Sequence, residues 1–284
     1  MGEPTPSRLA VLRYDWEYGA GMGPSWHQLR ARLLRHGLRL EHQRILDIGC
    51  GYFYPYTLLF ASAGAWVVGA DVDQLQWAGL RRSRYDRFRQ ESGVLKGGIR
   101  FGYDLCRQAL YYGALRRSAG IPFNAAGAHL ARLDAARAPF RDAEFDLCVS
   151  SAAFEHIVDV PATVRELARI LRPGGFADIE IHLFPSLSGG HEFVLYNHAP
   201  PPPGFRVWGH LLDPEWQPPV PLNRWREAQY RTAFEAHFEI VDRTVSCARG
   251  DAYLTDAILA RLPAFTREEL LTESVVYVLR RRDG

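Results

Sequence analysis

Apolar positions along the chain fall into short unbroken runs that stop at glycine or an acid, separated by stretches where they recur every third or fourth residue. Arg44-Ile-Leu-Asp-Ile48 runs into Gly49-Cys-Gly51, as a buried strand entering a tight turn does. Residues 55–64 read as a helix. Trp66-Val-Val-Gly-Ala70 is a second run ending at Asp71, and residues 75–89 return to helical spacing with arginines on the polar face. Runs at 129–133 before Asp134, 145–149 before Ser150-Ser151, and 176–184 after Pro173-Gly-Gly175 extend the series to five strands. Between the last two, Val160, Val164, Leu167, Ala168 and Leu171 form a helical stripe closed by the Pro-Gly-Gly turn. Residues 238–245 and 274–279 add two strands, with helices near 254–262 and 266–271 between them. Alternation of this kind predicts an α/β fold: a doubly wound, seven-stranded, mostly parallel sheet covered by helices on both faces.

Three stretches exceed that repeat. Residues 1–40 read as a helical lead, with a helix over 26–38 behind Tyr14, Trp16 and Tyr18, ahead of a main domain over 41–284. Sixty-three positions separate Asp71 from Asp134, about twice what one helix and a short connection need. An insertion at about 91–128, with a further helix over 103–118, accounts for them. A second insertion at about 185–221 is rich in proline, histidine and aromatic residues and reads as a cap over a cavity, with Phe193, Tyr196, Phe205, Trp208 and Trp216 as its small core.

Composition narrows the function classes. The 284 residues are 47% hydrophobic and 23% charged, a balance that suits a folded globular chain with one or two domains. Thirty-four basic against 32 acidic residues leave +2, too little to call for nucleic acid or an anionic membrane as an obligatory partner. Nearly all the cations are arginine, Lys96 being the only lysine. Cys50, Cys106, Cys148 and Cys247 are far apart with no C-x-x-C pair, so the spacing suggests neither a zinc site nor a disulfide framework, and the expected compartment is the cytoplasm. No window approaches 18 uninterrupted apolar residues, so no membrane span is expected.

Candidate chemistry gathers at the ends of the strands, where open α/β sheets bind ligands. Gly49 and Gly51 allow a sharp bend and a close ligand approach without a Cβ in the way. The acid at Asp47 disfavours a pyrophosphate beside it and suits a cofactor carrying an ammonium or sulfonium group. Asp71, twenty residues beyond Gly51, stands where a carboxylate can accept both hydroxyls of a ribose.

Leu46-Asp-Ile-Gly-Cys-Gly51, Gly69-Ala-Asp71, Asp134 with Pro139-Phe140, Phe145-Asp146, Glu155-His-Ile157 and Leu171-Arg-Pro-Gly-Gly175, in that order, resemble the class I S-adenosylmethionine-dependent methyltransferases. The closest group is the broad one that methylates quinones and small molecules. The resemblance covers residues 44–184 and implies S-adenosylmethionine as cofactor. It assigns Asp47, Gly49 and Gly51 to the methionine part, Asp71 to the ribose, Asp134 to the adenine amino group and Ala135 to the adenine pocket, with Ser150 among the cofactor-binding residues. One departure is Phe53, where the family often has a third glycine; the aromatic either stacks over the cofactor or packs under the following helix. A dinucleotide motif would need glycine where Tyr54 sits.

His156, just past the fourth strand, is the first choice as general base, needed if the acceptor is a hydroxyl. Alternatively, Glu155 and His156 only fix their loop. His182 at the end of the fifth strand and His191 after Ser188-Gly-Gly190 are further catalytic candidates, and that turn could swing over substrate. Ser188-Gly-Gly-His191 with Pro221-Leu-Asn-Arg224 also resembles methyltransferases of bacterial carbohydrate and natural-product pathways. The expected function is methyl transfer to a small molecule, leaning to a hydroxyl of a sugar or secondary metabolite. The alternatives are a non-catalytic binding protein that keeps the cofactor fold, and a nucleic-acid methyltransferase, which would show a basic groove and a Pro-rich motif where this chain has Ser150-Ser-Ala-Ala-Phe154.

Overall fold

Seven strands form one sheet in a computed structural model that describes residues 7–72, 81–192, 200–201 and 203–282, with side chains of the helix beginning at Arg81 described from Tyr85 onward. In chain order the strands are β1 (Arg44–Ile48), β2 (Trp66–Asp71), β3 (Ala128–Arg132), β4 (Phe145–Ser151), β5 (Leu171–His182), β6 (Phe238–Ala248) and β7 (Thr272–Arg281). Their order across the sheet is β3-β2-β1-β4-β5-β7-β6. The pairs β1–β2, β2–β3 and β4–β5 are parallel, while β7 runs antiparallel to both β5 and β6. This is the α/β, mostly parallel architecture that the alternating pattern predicts. The chain divides into two compact units, residues 1–132 and 133–284.

In the first unit, β1 and β2 are buried through nearly their whole length, as continuous apolar runs require. Helix α2 (Pro55–Ser62) follows β1 and opens with proline at its first turn. Two long helices, α1 (Arg8–Arg35) and α3 (Arg81–Ala119, broken at Gly93), pack on each other. Helix α1 starts well before the expected position at residue 26. Glycine and proline depress helix propensity over residues 19–24, but the glycines are there for packing. A Cβ on Gly19 would strike the backbone of Tyr111, and one on Gly23 would strike Ser118. Buried Asp15, Gly19, Met22, Trp26, Leu29 and Leu33 form one stripe along α1. The helical lead and the extra helix expected over 103–118 are thus the two halves of one packed pair.

In the second unit, α4 (Val160–Ile170) is capped by Asp159, whose side chain accepts from Ala162 N, and Val160, Val164 and Leu167 are buried as the stripe predicts. Strand β5 starts directly at Leu171 and takes in the Pro-Gly-Gly segment, with Gly174 at φ 68°. Helices α5 (Gly209–Leu212), α6 (Glu227–Glu235), α7 (Asp256–Arg261) and α8 (Arg267–Leu271) complete it. Trp208 of the cap is fully buried, and among the described residues it packs with Leu187, Leu254, Leu262 and Leu270. Phe193, Tyr196 and His198 lie outside the described residues. No helix among the described residues is long and apolar enough to cross a membrane.

Candidate functional site

The turn after β1 is held by β2. Gly49 N and Cys50 N both donate to Ala70 O, and Gly51 N donates to Asp71 Oδ2 at 3.0 Å. Gly49 and Gly51 have φ of 68° and 69°, a conformation that side chains disfavour. A Cβ on Gly51 would meet nothing within 4 Å, so one face of the turn is open to a ligand. Within this unit the structure therefore brings Gly49, Gly51 and Asp71 together, and they fit a cofactor with a ribose: open backbone beside a half-buried carboxylate.

Asp47 touches something the sequence did not announce. Its carboxylate is buried and accepts from Thr57 Oγ1 at 2.6 Å, and Gly69 makes room, since a Cβ there would strike the Thr57 hydroxyl. Burial pushes the Asp47 carboxyl up to about 7, with Thr57 pulling it down and Asp71 pushing it further up. In this setting the residue ties β1 to α2 beneath the turn.

The aromatic segment after the turn is resolved in favour of packing. Phe53 is buried and stacks on Tyr111 of α3 with ring centroids 4.0 Å apart, and Tyr112 Oη donates to Phe53 O at 3.0 Å. Tyr52 Oη donates to Asp104. The guanidinium of Arg107 lies over both rings, 5.5 Å from Tyr52 and 5.7 Å from Phe53, while bonding Asp15 of α1 through two nitrogens. Helices α1 and α3 thus clamp the glycine turn.

In the second unit, Asp134 is exposed and caps a 3-10 turn over Ala135–Arg137, its Oδ1 accepting from Ala136 N, with Ala135 half-buried. Ser150, next to the last residue of β4, is buried and its hydroxyl has no hydrogen-bond partner.

The three candidate histidines converge beyond the carboxyl ends of β4 and β5. The His191 ring lies 4.9 Å from that of His156 and 4.7 Å from that of His182, centroid to centroid. After Ser151 the chain turns through Ala152 at φ 50° into a 3-10 turn, Phe154–His156, that buries Glu155 and leaves His156 half-buried. Asn223 fixes this turn: its Nδ2 donates to Phe154 O and Ile157 O, and its N donates to Glu155 O. His156 Nδ1 is 2.7 Å from Pro221 O. A carbonyl only accepts, so Nδ1 carries a proton, and in the neutral imidazole Nε2 is then the acceptor. His182 Nε2 meets Ser188 Oγ at 2.8 Å.

His191 is buried, so the expectation of a turn swinging freely over substrate is replaced by a packed one. A Cβ on Gly189 would strike Phe184 O, and one on Gly190 would lie 2.9 Å from His210 Cβ. Only glycines let the chain pass here, and His191 itself is left-handed at φ 58°. Burial, with His182, His156 and His210 nearby, lowers its imidazole to about 3.

Glu155 is the residue that sequence reasoning undervalued, as a mere loop-fixer. Burial pushes its carboxyl up to about 8. Neither oxygen has a partner at hydrogen-bonding geometry, though the backbone amides of Glu155 and His182 pull the carboxyl part of the way back down. One ligand-type atom from each of Glu155, His182 and His191 lies within 4.8 Å of the others.

Residues 95–178 match the family model described as a methyltransferase domain. Methyltransferase GfsG of Streptomyces halstedii is 30% identical over 143 residues, 49% of this chain and 38% of that protein. The demethylmenaquinone methyltransferase of Mycolicibacterium gilvum is 31% identical over 145 residues, 51% of this chain and 44% of that one. The matches thus span less than half the length of these curated relatives. A solved S-adenosylmethionine-dependent methyltransferase from Mesorhizobium loti is similar at a TM-score of 0.48 and 19% identity, covering 90% of this chain and 97% of its own. Family model and relatives agree in their likeness to methyltransferases, and the mostly parallel seven-stranded sheet is consistent with that likeness.

Proposed function

We propose that the protein transfers a methyl group from S-adenosylmethionine to a hydroxyl oxygen of a small molecule, of the sugar or secondary-metabolite class, with His156 as general base. The observation that carries this reading is the His156 imidazole. Pro221 O holds its Nδ1 proton, which leaves Nε2 of the neutral imidazole as the acceptor. The cofactor, when bound, supplies an electrophilic methyl on a sulfonium. The resemblance assigns Gly49 and Gly51 to its methionine part, Asp71 to its ribose, and Asp134 and Ala135 to its adenine, with Ser150 a further cofactor-binding candidate. His156 Nε2 takes the acceptor's hydroxyl proton as the new C–O bond forms and the C–S bond breaks with its pair on sulfur. Alignment in a water-poor site does the rest. His182 and His191, held by Ser188 and by burial, act on the acceptor's position.

The test incubates the chain and cofactor with fractionated small-molecule extracts and follows, by mass spectrometry, a metabolite that gains one methylene unit. His156→Ala should then lower turnover by about 10²–10⁴ while cofactor affinity stays within a few-fold. Full activity of that variant on a hydroxyl acceptor defeats the assignment.

A further inference from the structure

We propose that Glu155, His182 and His191 form a binding site for one divalent first-row transition-metal ion of the zinc class. Two imidazoles and a carboxylate converge, each offering an atom within 4.8 Å of the others. Two nitrogens and one oxygen suit zinc, cobalt or iron(II) and disfavour magnesium or calcium, which prefer all-oxygen shells. The second observation is the Glu155 carboxyl, 2% exposed with neither oxygen hydrogen-bonded. A buried acid without partners costs several kcal/mol unless it is neutralised or meets a cation.

Distinct elements present the three groups. Glu155 comes from the turn after β4, His182 from the last position of β5, and His191 from the Ser188-Gly-Gly turn that only glycines can make. Ser188 Oγ against His182 Nε2 is the kind of outer contact that orients a ligating imidazole. A tetrahedral ion with bonds of about 2.0–2.1 Å places its ligands about 3.4 Å apart, so the site closes with side-chain shifts of about an ångström. Three protein ligands leave a position open. On the reading of a hydroxyl acceptor given above, that position takes the acceptor oxygen and makes its proton easier to remove by His156.

The experiment uses the full chain, stripped with chelator, and needs no substrate. Cobalt(II) is titrated by visible absorption and zinc(II) by calorimetry. The expected result is one ion per chain, with cobalt bands of a four- or five-coordinate site and no thiolate charge-transfer band. Glu155→Gln and His191→Gln should each weaken binding by about a hundredfold or more, and His156→Gln should leave it within a few-fold. Circular dichroism confirms that each variant is folded, and His182→Gln replaces either one that is not. Absence of tight binding, or binding equal in wild type and the ligand variants, overturns the site and leaves Glu155 as a neutral buried acid. Because the readout is the ion itself, a methyl-transfer reading that fails on His156 leaves this test intact.

Discussion

Removing Arg107 should damage the first unit more than removing its partner Asp15, although both mutations break the same ion pair. The Asp15 side chain is 1% exposed and that of Arg107 29%, with contacts of 2.6 and 3.0 Å through two guanidinium nitrogens. In Arg107→Ala the carboxylate stays buried without its cation, a loss of about 3–5 kcal/mol. Contacts of the guanidinium with the Tyr52 and Phe53 rings vanish too, for about 0.5–1 kcal/mol each. In Asp15→Ala the guanidinium keeps both rings and reaches water, so the cost is about that of charged hydrogen bonds, roughly 1.5–3 kcal/mol. The difference between the single variants should therefore be about 3 kcal/mol, and the double variant Asp15→Leu/Arg107→Leu should recover part of the loss because no charge is left stranded. Urea denaturation followed by circular dichroism and tryptophan fluorescence measures all three. Equal losses in the two single variants, or losses under about 0.5 kcal/mol as exposed pairs give, would refute the reasoning.

Asp71→Ala should weaken S-adenosylmethionine by tenfold or more, since each charge-assisted bond to a ribose hydroxyl contributes roughly 1.5–3 kcal/mol; calorimetry on a folded variant measures it. Asp71→Asn keeps an acceptor for Gly51 N and so separates loss of the ribose contact from loosening of the turn. A pH experiment concerns Glu227. Burial alone would raise its carboxyl, but bonds from Arg243 and Tyr277 outweigh this and hold it below its ordinary value of 4.5. A depressed folded value stabilises at pH above 4.5 and is lost as pH falls through the folded value. Glu227→Gln should therefore be less stable than wild type near neutrality and lose less stability below pH 4.5, read from urea midpoints across the acid range.

The strands were legible because a parallel sheet buries both faces, and runs such as Ile45-Leu-Asp-Ile48 and Trp66-Val-Val-Gly-Ala70 carry that burial in their composition. Helix α1 was half legible for the opposite reason: its Gly19 and Gly23 are packing residues, and their purpose appears only when Tyr111 and Ser118, some 90 positions away, come into contact with them. The same long-range logic decides Phe53, which local pattern left open between a ligand face and a core, and which Tyr111 and Tyr112 settle as core.

Among the site residues, position could be read from the chain but state could not. Strand ends mark where ligands bind, so β4 and β5 alone single out His156 and His182 as candidates, and the preceding glycines single out His191. Nothing in the sequence says that Pro221 O takes the Nδ1 proton of His156, or that Thr57 occupies the carboxylate of Asp47. Glu155 shows the limit most sharply. Beside a histidine in a loop it reads as an acid that fixes the loop by hydrogen bonds. Its burial depends on Asn223, 68 positions later, which bonds Phe154 O, Ile157 O and the carbonyl of Glu155 itself and so turns this side chain inward. What Asn223 fixes, then, is the geometry on which both the proposed His156 base and the proposed three-ligand site depend.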